Sequence, residues 1–231
     1  MATIELGDIT AEVVRKEIKH IHLVVYPPHG RVRITAPQRY KLDMLRVFAI
    51  NKLGWIQTQR RKMQAQEREA PRAMLERESH QVWGMRRLLK IEVVDAAPSV
   101  ELRPRTLVLR VRADADHAKR EAVLQAWYRH SLREAVAELL PKWEKRLGVK
   151  VSRVFVQTMR TRWGSCNPDK ANIRLNTELA KKPPSCLEYV LVHELLHLIE
   201  HRHSPRFRAL LDRHLPGWEG QRDVLNALPV K

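Results

Sequence analysis

Apolar positions along this chain follow two periods. Between residues 11 and 36 they fall in short strand-like stretches, Val13-Val14, Ile18, His20 to Val25 and Val32 to Ile34, with Pro27-Pro28-His29-Gly30 placed as a hairpin turn. From Leu42 to about Glu69 the period lengthens to that of a helix, through Leu45, Phe48, Ala49, Trp55 and Ile56. The far end of that helix, from Thr58, is nearly all polar and is expected to project into solvent until Pro71 closes it. Gln81 to Trp83, Leu88 to Val94 and Thr106 to Val111 read as strands. A long helix is expected from about Asp116 to Arg146, carrying Val123, Leu124, Trp127, Leu132, Ala135, Leu139 and Leu140, with Pro141 as a candidate kink. Val151 to Thr158 and Arg160 to Ser165 are strand-like again. The change of period near Arg112 to Asp116 divides the chain into a β-rich part with one helix, residues 1–113, and a remainder, residues 114–231. The class is α+β, and no internal repeat or low-complexity run is visible.

The most informative segment follows Pro183-Pro184. Ser185-Cys186-Leu187-Glu188 reads as a capping box, with Ser185 at the N-cap. The helix behind it carries Leu187, Val190, Leu191, Val192, Leu195, Leu196, Leu198 and Ile199 and is apolar almost all round, as a buried helix is. Inside it stands His193-Glu194-Leu195-Leu196-His197, an H-E-x-x-H spacing that composition alone produces about 0.04 times in such a chain. Residues four apart on a helix lie one above the other, so both imidazoles can reach one ion. Two His and a Glu in an apolar helix are costly unless something satisfies them. Zinc does so, and Glu194 is placed to take a proton from an activated water.

A third ligand has four candidates, Glu200, His201, His203 and His214. His201 is eight residues from His193, about 12 Å along a continuous helix, too far to share an ion. Ser204-Pro205 reads as an N-cap followed by Pro at the first position of a new helix, so the first helix stops near Glu200 to Arg202. His203 then ends the turn and can swing back to the pair; Glu200 and His214 stand behind it.

Composition bounds the rest. A chain of 231 residues holds one large or two small domains and can bury a sizeable core. Two cysteines, Cys166 and Cys186, exclude a disulfide scaffold and a C-x-x-C zinc finger and fit a reducing cytosol. The amino terminus has no signal-peptide pattern and no run reaches the 18 or so apolar residues of a membrane span, so a soluble cytoplasmic protein without a membrane partner is expected. Lys plus Arg number 43 against 26 Asp plus Glu, a net charge of +17, spread through Arg60-Arg61-Lys62, Arg86-Arg87, Arg103 to Arg112, Lys119-Arg120 and Arg202 to Arg213. Such a field attracts polyanions, which makes non-specific, electrostatic nucleic-acid contact a candidate partnership beside a solvated basic surface.

Upstream of the metal helix, Arg160-Thr161-Arg162-Trp163-Gly164-Ser165-Cys166 is followed by Ile173-Arg174-Leu175-Asn176. Gly164 permits a bend or bulge in a strand. Arg160, Arg162 and Trp163 are candidate substrate-binding residues, against the plainer reading that Arg162 and Trp163 stack and seal the core. Asn176 is assigned to fastening a turn. Together with Tyr189-Val190, the H-E-x-x-H, His203, Phe207 and Pro216-x-Trp218, these segments resemble the YgjP-like metallopeptidases, relatives of the SprT-like zinc proteases. The likeness is close over the last 80 or so residues and looser through Tyr26 to Gly30, Ala36-Pro37 and Val82-Trp83-Gly84. It implies a minimal zincin-like domain in residues 114–231, zinc on His193, His197 and His203, and Glu194 as catalytic base acting on a peptide or protein. Two other functions remain open. One is metal-dependent nucleotide pyrophosphate hydrolysis of the UTP type, which has been associated with YgjP-like proteins. The other is a nucleic-acid-associated accessory protein with structural zinc.

Overall fold

A computed structural model describes residues 2–26, 29–65 and 73–227, with side chains omitted for 62–65. Pro27-Pro28, Pro71 and the helix end expected beyond Ala65 lie outside the described residues. The chain divides into two compact units, one within residues 1–68 and one within 69–227. The expected boundary near residue 113 falls inside the second.

In the first unit, β1 (Ala2–Leu6), β2 (Ile9–Arg15), β3 (His22–Tyr26) and β4 (Arg31–Ala36) form a sheet in the order β1-β2-β4-β3. The outer pairs are antiparallel and the inner pair, β2 with β4, is parallel. Ile4, Leu6, Ile9, Val13, Val32 and Ile34 bury one face of this sheet beneath Leu45, Ala49 and Ile56. The single helix read over 42–69 is two, α1 (Leu42–Asn51) and α2 (Leu53–Ala65), because Lys52 departs to φ −104° and ψ 6°. Arg60 is not free in solvent: a Cβ at Gly30 would come within 2.8 Å of its Cγ, and its guanidinium lies 3.6 Å from Asp8.

The second unit opens with β5 (Ser79–Val82), β6 (Met85–Val93), β7 (Ser99–Leu102) and β8 (Thr106–Val111) in the order β5-β6-β8-β7, again with antiparallel outer pairs and a parallel inner one. Two four-stranded sheets of one topology thus occur in a chain whose sequence shows no repeat. On the second, Arg110 bridges Glu92 and Glu101, and Arg103 also pairs with Glu101, so part of the 103–112 basic run is neutralised. Hydrogen bonds from Arg103, then Arg110, hold the Glu101 carboxyl down to about 2.

Helix α3 (His117–Leu147) starts where the Asp116 side chain accepts from the Lys119 N–H and ends at Gly148, which turns left-handed at φ 66°. Pro141 sits within it without interrupting it. A smaller sheet follows in the order β10-β11-β9, from β9 (Arg153–Gln157), β10 (Gly164–Asn167) and β11 (Asn172–Asn176). A 3₁₀ turn, Thr177–Lys181, leads to α4 (Pro184–Leu196), then α5 (Pro205–His214) and α6 (Trp218–Ala227). One core joins these parts, from Met74 and Leu89 through Leu124, Tyr128 and Leu132 to Leu191, Leu211 and Leu225.

Two contacts aim the site elements. The β5–β6 turn has both central residues at positive φ, Trp83 at 51° and Gly84 at 79°. Their N–H groups donate to the carbonyls of Ala180 and Lys181 at 2.9 and 3.2 Å. A Cβ on Gly84 would meet Pro183 at 2.9 Å, so the hairpin tip can seat against the entry to α4 only with glycine there. At the far end of α3, the buried Glu144 carboxylate accepts from the Val151 N–H at 2.7 Å and from Lys150 at 2.8 Å, tying α3 to the segment leading into β9. Burial pushes this carboxyl up, but the Lys150 ammonium and the Val151 N–H outweigh it and hold it below its usual value of 4.5. A carboxylate depressed in the folded state contributes stability that is present above 4.5 and lost as pH falls below it. Wild type should therefore lose more stability than Glu144→Gln between pH 5 and pH 3 in denaturant titrations. Parallel losses would exclude this tie as an acid-sensitive element.

Candidate metal centre

Helix α4 does not begin as its sequence suggests. Pro183 is the N-cap, Pro184 takes the first helical position, and no side chain caps the end. Glu188, the expected partner in a capping box with Ser185, accepts from the Trp143 indole N–H at 2.9 Å instead. Tertiary packing against α3 has claimed the carboxylate. Beyond that first turn the apolar pattern holds: nine residues of the helix are buried, Leu191, Val192, Leu195 and Leu196 completely.

The helix ends at His197, and three residues of turn carry the chain away. The Ser204 hydroxyl accepts from the Phe207 N–H at 3.2 Å, and Pro205 opens α5. That reversal returns His203 to the pair. Ring nitrogens of His193, His197 and His203 lie within 4.8 Å of one another, and the Nε2 atoms of His193 and His203 are 2.9 Å apart. All three rings pack on the buried Phe207 ring, with centroids 4.9, 4.7 and 5.0 Å from it. His197 Nδ1 lies 3.2 Å from the Glu200 carbonyl oxygen, where its N–H can donate, leaving Nε2 for an ion. Among the other candidates, His201 Nδ1 lies 2.9 Å from the His197 carbonyl, Glu200 accepts from the Arg202 N–H, and His214 closes α5.

The electrostatics suit cation binding. Burial, then the neighbouring His197 and His203, pull His193 down to about 3, and burial also lowers His197. Both are neutral at physiological pH, the form in which imidazole binds a metal. Burial pushes the Glu194 carboxyl up to about 8, with the Arg162 charge acting the other way. Three imidazoles converging beside a carboxyl group that is only 6% exposed form a donor set that a divalent ion fits.

Strand β10 crosses this helix at Gly164. The glycine is a point of close approach. A Cβ there would lie 2.7 Å from Glu194 Oε1, 2.8 Å from its Cγ and 2.9 Å from Val190 Cγ1. A cleft of about 390 Å³ opens in front, lined by the three histidines, Glu194 and Gly164 to Cys166. Cys166 is half-buried; burial and the Glu194 charge push its thiol up to about 11. Arg162 lines both this cleft and an adjoining second cavity, Trp163 lines the second alone, and Arg160 lines neither. The cation over the Trp163 ring is Lys182, 5.6 Å from the centroid.

Asn176 holds the loop that carries these residues. Fully buried, its amide donates to the carbonyls of Met159 and Arg162 and accepts from the N–H groups of Met159 and Glu178. Its own N–H donates to the Trp163 carbonyl. Asn176→Ala should cost about 2–4 kcal/mol in urea denaturation, because it strands several buried backbone groups at once. A loss below about 0.5 kcal/mol would show that the loop does not depend on it.

Two features of the site had no sequence signal. Gly164 stands in a run that reads as a strand, and its neighbour across the cleft is set by tertiary packing. Arg222, on the last helix, reaches the second cavity from 28 residues beyond Glu194.

No curated protein matches the chain. Among solved structures, the metallopeptidase zymogen of Pyrococcus abyssi abylysin is similar at 23% identity, over 38% of this chain and 87% of that one, with a TM-score of 0.35. The metallopeptidase zymogen of Methanocaldococcus jannaschii jannalysin is similar at 18% identity, over 41% and 83% of the two chains, with a TM-score of 0.33. The model of the YgjP-like metallopeptidase domain matches residues 19–228, a span that takes in the small sheet, α4 and the turn bearing His203. By that match the chain belongs to the YgjP-like metallopeptidases.

Proposed function

We propose that the chain is a zinc-dependent metallopeptidase in which His193, His197 and His203 hold the ion and Glu194 is the general base. The observation that carries this reading is the convergence of three imidazoles beside one buried carboxyl group. Bound zinc would supply Lewis-acid activation of water and of the scissile carbonyl. Glu194 takes the proton of the attacking water and delivers it to the leaving amine. The Arg162 charge acts toward the ionised form that this role requires, and a bound cation would add to it. Strand β10 is an edge of its sheet and lines the cleft, so an extended peptide can add to it through backbone hydrogen bonds.

A closed structural zinc site commonly takes four protein ligands, often with cysteine. The three-histidine group includes no cysteine among the described residues, and Cys186 is buried with its Sγ 3.9 Å from the Gln221 carbonyl. No described helix is long and apolar enough to cross a membrane.

Elemental analysis should find about one zinc per chain, and His203→Ala should retain a small fraction of it while Glu200→Ala keeps it. Full retention in the first variant with loss in the second would move the ligand to Glu200. The zinc form should cleave peptides and leave nucleoside triphosphates intact. Turnover of UTP with peptides untouched would replace the peptidase reading with pyrophosphate hydrolysis.

A further inference from the structure

A second cavity, which shares Arg162, Gly164, His193 and Glu194 with the main cleft, has a volume of about 220 Å³. That lies below the roughly 300 Å³ at which pockets for whole small molecules begin, and it suits a single side chain. Trp163, Tyr189 and Leu225 give it apolar walls, and His193 and Glu194 are part of its lining. Two arginines line it, Arg162 from the loop before β10 and Arg222 from α6. Glu194 is the only carboxylate in its lining. Arg162 is exposed and has no salt bridge among the described residues. Arg222 is held over the Trp218 ring at 5.0 Å and donates to Asp223 at 3.1 Å, a contact that leaves the rest of its fork of N–H groups for another acceptor.

We infer that this cavity is a specificity pocket for an acidic side chain, glutamate or aspartate, next to the scissile bond, and that Arg222 and Arg162 are its specificity-determining residues. The inference rests on the peptidase reading above and names its substrate class. Apolar walls cover the methylene stem of such a side chain while two charged forks meet its carboxylate, the geometry in which arginine outperforms lysine. A lysine side chain entering the same space meets two like charges.

The test uses the zinc-loaded full chain and peptides of one sequence carrying Glu, Gln or Lys on either side of the scissile bond, with free and amidated carboxyl termini. At the position that enters the pocket, kcat/KM should favour Glu over Gln by about tenfold, the scale of a charge-assisted hydrogen bond, and disfavour Lys further. Amidation should not alter the ratio. Arg222→Glu should invert the Glu-to-Lys preference, since the charged partner has changed sign. Equal rates for Glu and Gln, or an unchanged preference in Arg222→Glu, overturn the assignment. A preference seen only with a free carboxyl terminus assigns the pocket to the end of the chain instead and overturns it equally. Calorimetric binding of the same peptides to the zinc-loaded Glu194→Gln variant separates the two readings. Charge-selective binding that Arg222→Glu abolishes, with no wild-type cleavage of any peptide, leaves the pocket standing and removes the peptidase reading. Binding without charge selectivity removes the pocket.

Discussion

Glu194→Gln should retain its zinc and its fold and lose peptide hydrolysis by about 10²–10⁴-fold. The substitution is nearly isosteric, and it falls where the side chain is only 6% exposed and close against Gly164, so packing is preserved. What disappears is the capacity to take up a proton. The loss should appear in kcat with little change in KM, as expected for an interaction made in the transition state alone. Near-normal turnover by a zinc-loaded Glu194→Gln protein would remove Glu194 from the mechanism and leave proton transfer to another group lining the cleft.

Gly164→Ala should lower kcat by about 100-fold, the scale attached to a displacement of about 1 Å at a reacting centre. The added methyl would sit 2.7 Å from Glu194 Oε1 and 2.9 Å from Val190 Cγ1, closer than carbon atoms approach. Neither backbone can yield cheaply: β10 is paired with β11 from Gly164 to Asn167, and α4 is buried on nearly every side. The softest element is the Glu194 side chain, so that is what moves. The nearest atoms to the added methyl belong to Glu194 and Val190, not to a histidine, so zinc content should stay near that of wild type. Loss of zinc in parallel with activity would show that the methyl group displaces the whole helix and that Gly164 is a packing residue only.

Much of this site could be read along the chain because its signals are local. The apolar wrapping of α4 and the four-residue spacing of His193 and His197 depend on helical geometry alone. The reversal that returns His203 depends on Ser204-Pro205, two adjacent residues with one strong meaning. Where partners are distant the reading fails. Ser185 and Glu188 have the spacing of a capping box, yet Glu188 is taken by Trp143, 45 residues away in sequence. Gly164 was legible as a strand glycine, but its reason lies 30 residues on, in Glu194. The short strands β1 and β7 escaped notice because neither is long enough to establish an alternation. The break at Lys52 lies within a segment whose periodicity runs on through it.

The recurrence of one sheet topology has a consequence for how a metal centre of this kind is built. In the first unit, four strands and the two short helices behind them complete a core. In the second, the strand order is the same, but the helix that follows runs 31 residues without a break. It packs on its own sheet and also against α4, β9 and the 3₁₀ turn. The first unit is the module alone; the second is the module used as a bench, with the chemistry laid along the far side of its helix. A longer helix is thus the physical difference between a fold that closes on itself and one with a surface left over to carry an enzyme.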